Sequence, residues 1–200
     1  MGKLILVRHG ETNKNIGNSL HGPQDSESLN ANGINQIQTT AERLSTFSPD
    51  KMYSSKEKRA LESSKIISKE LQIPFEEIND LQERNWGIFT GKPWDEVSKV
   101  LNPMSLEERY SYVPDGGESW KTFESRLIKV LNTITSTNPN KTILVVTHGG
   151  AIRALMPFLL GVPKEESFKY DPSNASLTIF DFDGDRFTQV MIDDISHLNS

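Results

Sequence analysis

The chain has no cysteine among its 200 residues. That excludes a disulfide scaffold, thiolate-bound zinc and thiol catalysis. Basic charge is also in short supply: 22 Lys and Arg stand against 27 Asp and Glu, a net charge of -5. A protein that tracks a nucleic-acid duplex needs the opposite balance, because lysine and arginine must neutralise its phosphates. Long apolar runs are missing as well. The longest, "ALMPFLLGV" from Ala154, contains Pro157 and is too short to cross a bilayer. The apolar start, Leu4 to Val7, sits between Lys3 and Arg8 and lacks the form of a signal peptide. These absences leave a soluble, cytoplasmic protein as the expectation, with no nucleic-acid or membrane partner. In that compartment "NKT" at Asn140 and "NAS" at Asn174 match the glycosylation pattern without meaning.

What is present is ordinary for a globular domain: 35% hydrophobic and 24% charged residues. The length suits one domain over 1–200 with a substantial core. Strand-like segments are "KLILV", "KMYSS", "KTILVVT", "SLTIFDF" and "FTQVMID". The first and third are continuous apolar runs, as in strands covered on both faces. The last two flank "DFDGDRF", whose Asp-Gly reads as a hairpin turn. Gly184 falls at the wrong offset for a calcium loop, so no metal is expected there.

Helical patterns alternate with the strands. Ile34, Ile37, Ala41 and Leu44 share one face, and Leu61, Ile66, Ile67 and Leu71 another, ahead of Pro74. Trp120, Phe123, Leu127, Leu131 and Ile134 share a third, with Ser119 as N-cap. The alternation predicts an α/β fold of three layers, α/β/α, with a mostly parallel central sheet. Residues 73–117 break the rhythm with Pro93, Pro103 and Pro114 and two tryptophans, and read as an inserted lid.

His9 and His148 each follow an apolar strand and precede a glycine, in "LILVRHG" and "ILVVTHGG". Ligands of open α/β sheets bind beyond the carboxyl ends of the strands, so both histidines are expected at one edge. A lone strand-end histidine is most simply satisfied by local hydrogen bonds, but two at equivalent positions point to a site. Gly10 would let backbone and ligand come close. The charge of Arg8 disfavours an imidazolium at His9, leaving a neutral nucleophile, and its planar fork suits a phosphoryl oxygen. Metal ligation is the competing use of histidine, but no H-x-x-x-H or H-x-H spacing occurs. No cofactor is implied.

"LVRHGETNKN" resembles the signature of the histidine phosphatase superfamily, also called phosphoglycerate mutase-like. The likeness continues in order through "HGPQDSESLNANG", "YSSKEKRALESS", "LQERNWGIFTGK", "DGGES" and "VVTHGGAIRAL". It implies that His9 attacks phosphorus and becomes phosphohistidine, while Arg8, Arg59 and His148 surround the phosphoryl oxygens. Asn15 matches a phosphate-contacting position. Glu83 matches the acid that protonates the departing oxygen and then takes a proton from water. Such an acid must first carry a proton, which partial burial or a neighbouring Trp86 would favour. Read without the resemblance, Glu83 is equally a solvated loop residue paired to Arg84. His21 departs from the family pattern, and is assigned with Gly22 and Gly149 to substrate binding. His197, among polar residues near the end, reads as solvated.

The family divides between phosphatases and bisphosphate-dependent mutases, and the resemblance implies a basic pair in the lid of a mutase. Between Gly91 and Pro114 stand Lys92, Lys99 and Arg109, with no adjacent arginines. The expectation is therefore a metal-independent phosphatase of small-molecule phosphomonoesters. Trp86, Trp94, Phe89 and Tyr112 would form an apolar wall for the organic group. A phosphoglycerate mutase is the alternative enzyme, and a phosphate-binding regulatory module without turnover is the alternative of another class. Homodimer formation stays open.

Overall fold

The computed structural model describes residues 1–23 and 25–199. Gln24, inside the segment "HGPQDSESLNANG", and Ser200 lie outside the described residues. In chain order the elements are β1 (Gly2–Arg8), α1 (Asn13–Ile16), α2 (Ala31–Ser45), β2 (Lys51–Ser55), α3 (Lys58–Leu71) and β3 (Glu76–Ile78). There follow α4 (Trp94–Leu101), α5 (Leu106–Ser111), α6 (Trp120–Thr137), β4 (Thr142–Thr147), α7 (Gly149–Leu160), β5 (Leu177–Asp183) and β6 (Arg186–Asp194). The strands form one sheet in the order β3-β2-β4-β1-β5-β6. The first three pairings are parallel, and β5 and β6 add antiparallel strands at the other side.

Alternation along the central strands builds the three layers. Leu4 and Leu6 face one cluster with α6 and α7, and Ile5 and Val7 face another with α2 and α3. All four are 0% exposed. Burying each aliphatic side chain contributes about 1.5–3 kcal/mol, so β1 alone is a substantial anchor. The α/β/α architecture and mostly parallel sheet agree with the sequence expectation. Among the described residues no helix is long and apolar enough to cross a membrane.

Local signals account for most boundaries. The Ser119 side chain accepts from the Thr122 amide at 3.0 Å and starts α6, whose five expected core residues are all buried. Asn30 accepts from Gly33 N at 2.8 Å and starts α2. Gly184, with φ 58°, turns the β5–β6 hairpin. Strand β3 escaped the sequence pattern because it is a short polar edge strand, paired to Tyr53–Ser55. It lies within the stretch read as a lid.

Two helix faces differ from expectation. Ile34 is 40% exposed, and the buried stripe of α2 runs through Gly33, Ile37, Thr40, Ala41 and Leu44. On α3 the buried set is Arg59, Ala60, Ser63, Ser64 and Ile67, so only Ile67 of the four expected residues is buried. This face is polar because its serines carry bonds under the sheet edge: Ser64 donates to Ser54 at 2.7 Å, and Ser63 accepts from Gly10 N at 3.2 Å. His197 is a further correction. It is 7% exposed and its Nε2 lies 3.0 Å from Thr40 Oγ1, because the final turn packs onto α2.

The glycines at the start of α2 serve a backbone crossing. A Cβ at Gly10 would lie 2.4 Å from the Gly33 carbonyl, and one at Gly33 would lie 2.1 Å from the Glu11 carbonyl. Gly10 therefore makes room for α2. In open space Gly33→Ala would stabilise the helix by about 1 kcal/mol. Here the clash is with backbone, so Gly33→Ala is expected to lower stability by about 1–3 kcal/mol. Urea denaturation measures the sign directly.

Candidate active site

Strands β1 and β4 run in register to the pair Arg8↔Thr147, so His9 and His148 leave the sheet side by side. The His9 amide donates to the Thr147 carbonyl at 3.0 Å, and the two rings are 5.3 Å apart between centroids. His9 Nδ1 lies 2.8 Å from the Gly10 carbonyl, which only accepts, so the proton is on Nδ1. Nε2 therefore carries the lone pair. Arg59 Nε donates to it at 3.2 Å.

Burial holds His9 well below the usual histidine range, reinforced in order by the charges of Arg59, His148, Arg8 and His21. The sequence assigned this effect to Arg8. Arg59 is the larger charge effect because its Nε is bonded to the ring, whereas Arg8 turns its Nη1 to the Pro172 carbonyl at 2.5 Å. Arg59 and His148 are both 0% exposed, so they stand behind the His9 ring without forming the open cavity wall. Three buried nitrogens, Arg8 Nε, Arg59 Nη1 and His148 Nδ1, find no hydrogen-bond partner among the described residues.

A cavity of about 510 Å³ opens in front of His9. Arg8, Asn15, His21, Glu83, Gly149 and Gly150 line it with His9. Glu83 is half-buried, and its Oε2 accepts from Gly150 N at 2.9 Å, at the first turn of α7. A Cβ at Gly150 would stand 2.2 Å from Glu83 Oε1, so this glycine is what admits the carboxylate. Gly149 packs instead against Arg8, 3.1 Å from Nε to a built Cβ. Trp86 stacks on the Arg84 guanidinium at 4.3 Å. Arg84 bonds the carbonyls of Glu118 and Tyr112, so its side chain is not the partner of Glu83.

His21 is buried, 2.9 Å from Thr12 Oγ1 by its Nε2 and 5.9 Å between centroids from His9. Burial, then the charge of Arg59, lowers it to about 3. Asn15 Oδ1 accepts from Thr12 N at 3.0 Å and from Asn174 Nδ2 at 3.2 Å. Gly22 is elsewhere: it packs on the Thr90 side chain and does not line the cavity. Of the expected aromatic wall, Trp86 and Trp94 line the cavity, whereas Phe89 and Tyr112 stack on each other at 6.4 Å. Trp120 and Phe168 complete the wall.

Sequence reasoning missed several site residues. Asn174, read only as a glycosylation match, donates to the His9 carbonyl at 3.0 Å. Arg153 and Asp171 pair at 2.6 Å on the cavity wall. Glu57 is the most deeply placed: 3% exposed, it receives Arg59 Nη2 at 2.8 Å and His148 Nε2 at 2.5 Å. Burial alone would raise its carboxyl, but His148, Arg59 and the Glu83 amide hold it down to about 2. Its one sequence signal was position, two residues before Arg59. Among the described residues no group of three or more His, Asp or Glu is placed to hold a metal ion.

The family model described as "Histidine phosphatase superfamily (branch 1)" matches residues 4–195. The chain belongs to that superfamily. It is 34% identical to phosphoglycerate mutase-like protein 4 of Arabidopsis thaliana, over 98% of this chain and 86% of that one. It is 32% identical to the metal-independent phosphoserine phosphatase of the same plant, over 99% and 84%. A phosphoserine phosphatase mutant from Entamoeba histolytica, solved with phosphoserine, superposes with a TM-score of 0.87. That match has 26% identity and covers 99% of this chain and 100% of the other.

The buried histidines of this superfamily member make its stability pH-dependent. His9, His21 and His148 all lie below the unfolded value of 6.5. As pH falls below 6.5 the unfolded chain takes up protons that the folded chain refuses, down to about 3 at His21. Stability is thus full above pH 6.5 and declines through that window. The urea midpoint is expected to fall between pH 7 and pH 5, and His21→Gln to make the fall shallower. An unchanged slope in His21→Gln would show that His21 is not held neutral.

Proposed function

We propose that the protein is a metal-independent phosphomonoester phosphatase that works through a phosphohistidine at His9. The observation that carries this reading is the neutral His9 ring, its Nε2 lone pair held against Arg59 at the mouth of a cationic cavity. The Nε2 lone pair forms the bond to phosphorus as the ester P–O bond breaks. Glu83, on the same cavity wall, gives its proton to the departing oxygen. Water then attacks phosphorus, Glu83 takes its proton, and the P–N bond breaks to release inorganic phosphate. Splitting the displacement this way replaces one hard step by two easier ones.

Charge on the equatorial oxygens is met by donors already fixed in place, the largest electrostatic advantage available to phosphoryl transfer. Phosphorus on Nε2 draws off the lone pair that Arg59 Nε now holds. Its oxygens then come within reach of that guanidinium and of the buried Arg8 Nε and Arg59 Nη1, which have no partner among the described residues. Asn15 and His21 extend the same rim.

The substrate is a small phosphate ester, in keeping with the phosphoserine and phosphoglycerate named in relatives' structures. The cavity wall supports a compact organic group: Arg109 lies over Phe168 at 4.7 Å and over Trp94 at 5.7 Å. Lys92 and Lys99 are exposed outside the cavity, and this lid lacks the paired bases expected of a mutase.

Leaving-group chemistry tests the roles. With p-nitrophenyl phosphate in EDTA, the wild type is expected to turn over and to form an acid-labile phosphoenzyme that His9→Ala lacks. Glu83→Gln should cost about 10²–10⁴-fold on alkyl phosphates. It should cost less on p-nitrophenyl phosphate, whose leaving group needs no proton, and there the phosphoenzyme should accumulate. Equal losses on both esters would remove Glu83 as the acid.

A further inference from the structure

We propose that Glu57 is a positioning residue for phosphoryl transfer: its Oε2 orients Arg59 toward His9, fixes the ring of His148, and anchors the segment that carries Glu83. The three contacts converge on one atom. Arg59 Nη2 donates to Oε2 at 2.8 Å, His148 Nε2 lies 2.5 Å from it, and the Glu83 amide donates to it at 3.3 Å. These donors come from the start of α3, the end of β4 and the loop after β3. A single carboxylate thereby ties together the three chain segments that meet behind the nucleophile.

Two further observations separate this role from ordinary helix capping. Glu57 occupies the N-cap of α3, yet its side chain makes no cap hydrogen bond. The carboxylate instead bonds the Arg59 side chain, His148 and the Glu83 amide, in a site where its own side chain is 1% exposed. A buried charge is tolerated only when paired and hydrogen-bonded, and both of its charged or chargeable partners belong to the proposed phosphate cage. Holding Arg59 through Nη2 directs Nε to His9 Nε2 and leaves Nη1 unpartnered among the described residues. Holding His148 through Nε2 leaves Nδ1, without a partner among the described residues, to donate to a phosphoryl group when the ring is an imidazolium. The carboxylate therefore decides which face of each donor is available to a phosphoryl group.

The same contact bears on protonation. The groups facing His148 are Glu57 and Arg59 from α3, Ser55 from β2, Glu83 from the loop after β3, and His9 and His21 across the site. Burial lowers His148, and Glu57 is the largest opposing influence, favouring the imidazolium that a phosphoryl dianion needs beside it. This inference rests on the phosphohistidine reading above.

Glu57→Gln isolates the charge, because the amide oxygen can keep all three donors at Oε2. With p-nitrophenyl phosphate, phosphoenzyme formation in Glu57→Gln is expected to slow by about 10- to 100-fold, the usual scale for altering a residue that supports a reactive group from behind. The alkaline limb of its kcat/KM profile should move to lower pH, because His148 loses its proton sooner, and Glu57→Asp should return that limb part of the way. A wild-type rate and an unmoved limb in Glu57→Gln, with the wild type forming phosphohistidine, would overturn the role of Glu57 alone. No phosphohistidine in the wild type would overturn the functional reading and this inference with it. Nitrogen-15 NMR of the wild type supplies a check independent of any variant: His148 must carry a proton on Nε2 at neutral pH. A bare Nε2 would equally overturn the proposal.

Discussion

Parallel pairing of β1 with β4, carried in register to the last residue of each strand, is the constraint on which the site depends. It fixes the two histidine backbones before any side chain is chosen, since the His9 amide is itself bonded to the Thr147 carbonyl. Both strands are buried on both faces, so neither can slide without moving apolar residues into the wrong layer. From this mount the chain turns at once into α7 on one side and toward α1 on the other. Arg8, His9 and Gly149 then lie at a single rim.

The second organising element is charge balance around one cavity. A chain with net charge -5 gathers Arg8, Arg59, Arg84, Arg109 and Arg153 around or behind one cavity. Such a cluster is unfavourable unless anions answer it. Glu57 answers Arg59 and His148 from behind, Asp171 answers Arg153 at the wall, and Glu83 stands at the front beside the first turn of α7. His9, held well below the usual histidine range, sits among them as a neutral ring rather than a cation.

Much of this was legible in the chain. Apolar runs ending in a histidine and a glycine located His9 and His148, because a covered parallel strand and its functional end leave a mark on consecutive residues. The core stripe of α6 and its Ser119 cap were equally local. The buried face of α3 was not, since Ser63 and Ser64 are there to bond Gly10 and Ser54, and polar residues do not announce burial. Strand β3 was hidden for a related reason: an edge strand of three residues needs no apolar pattern. His197 looked solvated because only the packing of the final turn on α2 encloses it.

By itself the sequence determined the layer order of apolar and polar residues, the histidines at the strand ends, and the family to which their motifs point. These are short-range properties, written in spacing of two, three or four residues. Tertiary structure alone decided that Arg59 rather than Arg8 bonds the His9 ring, and that Gly150 admits Glu83. It alone brought Asn174 to the His9 carbonyl and Glu57 beneath both Arg59 and His148. Direction of a long side chain and burial of a charge depend on neighbours distant in the chain, and no local spacing encodes them.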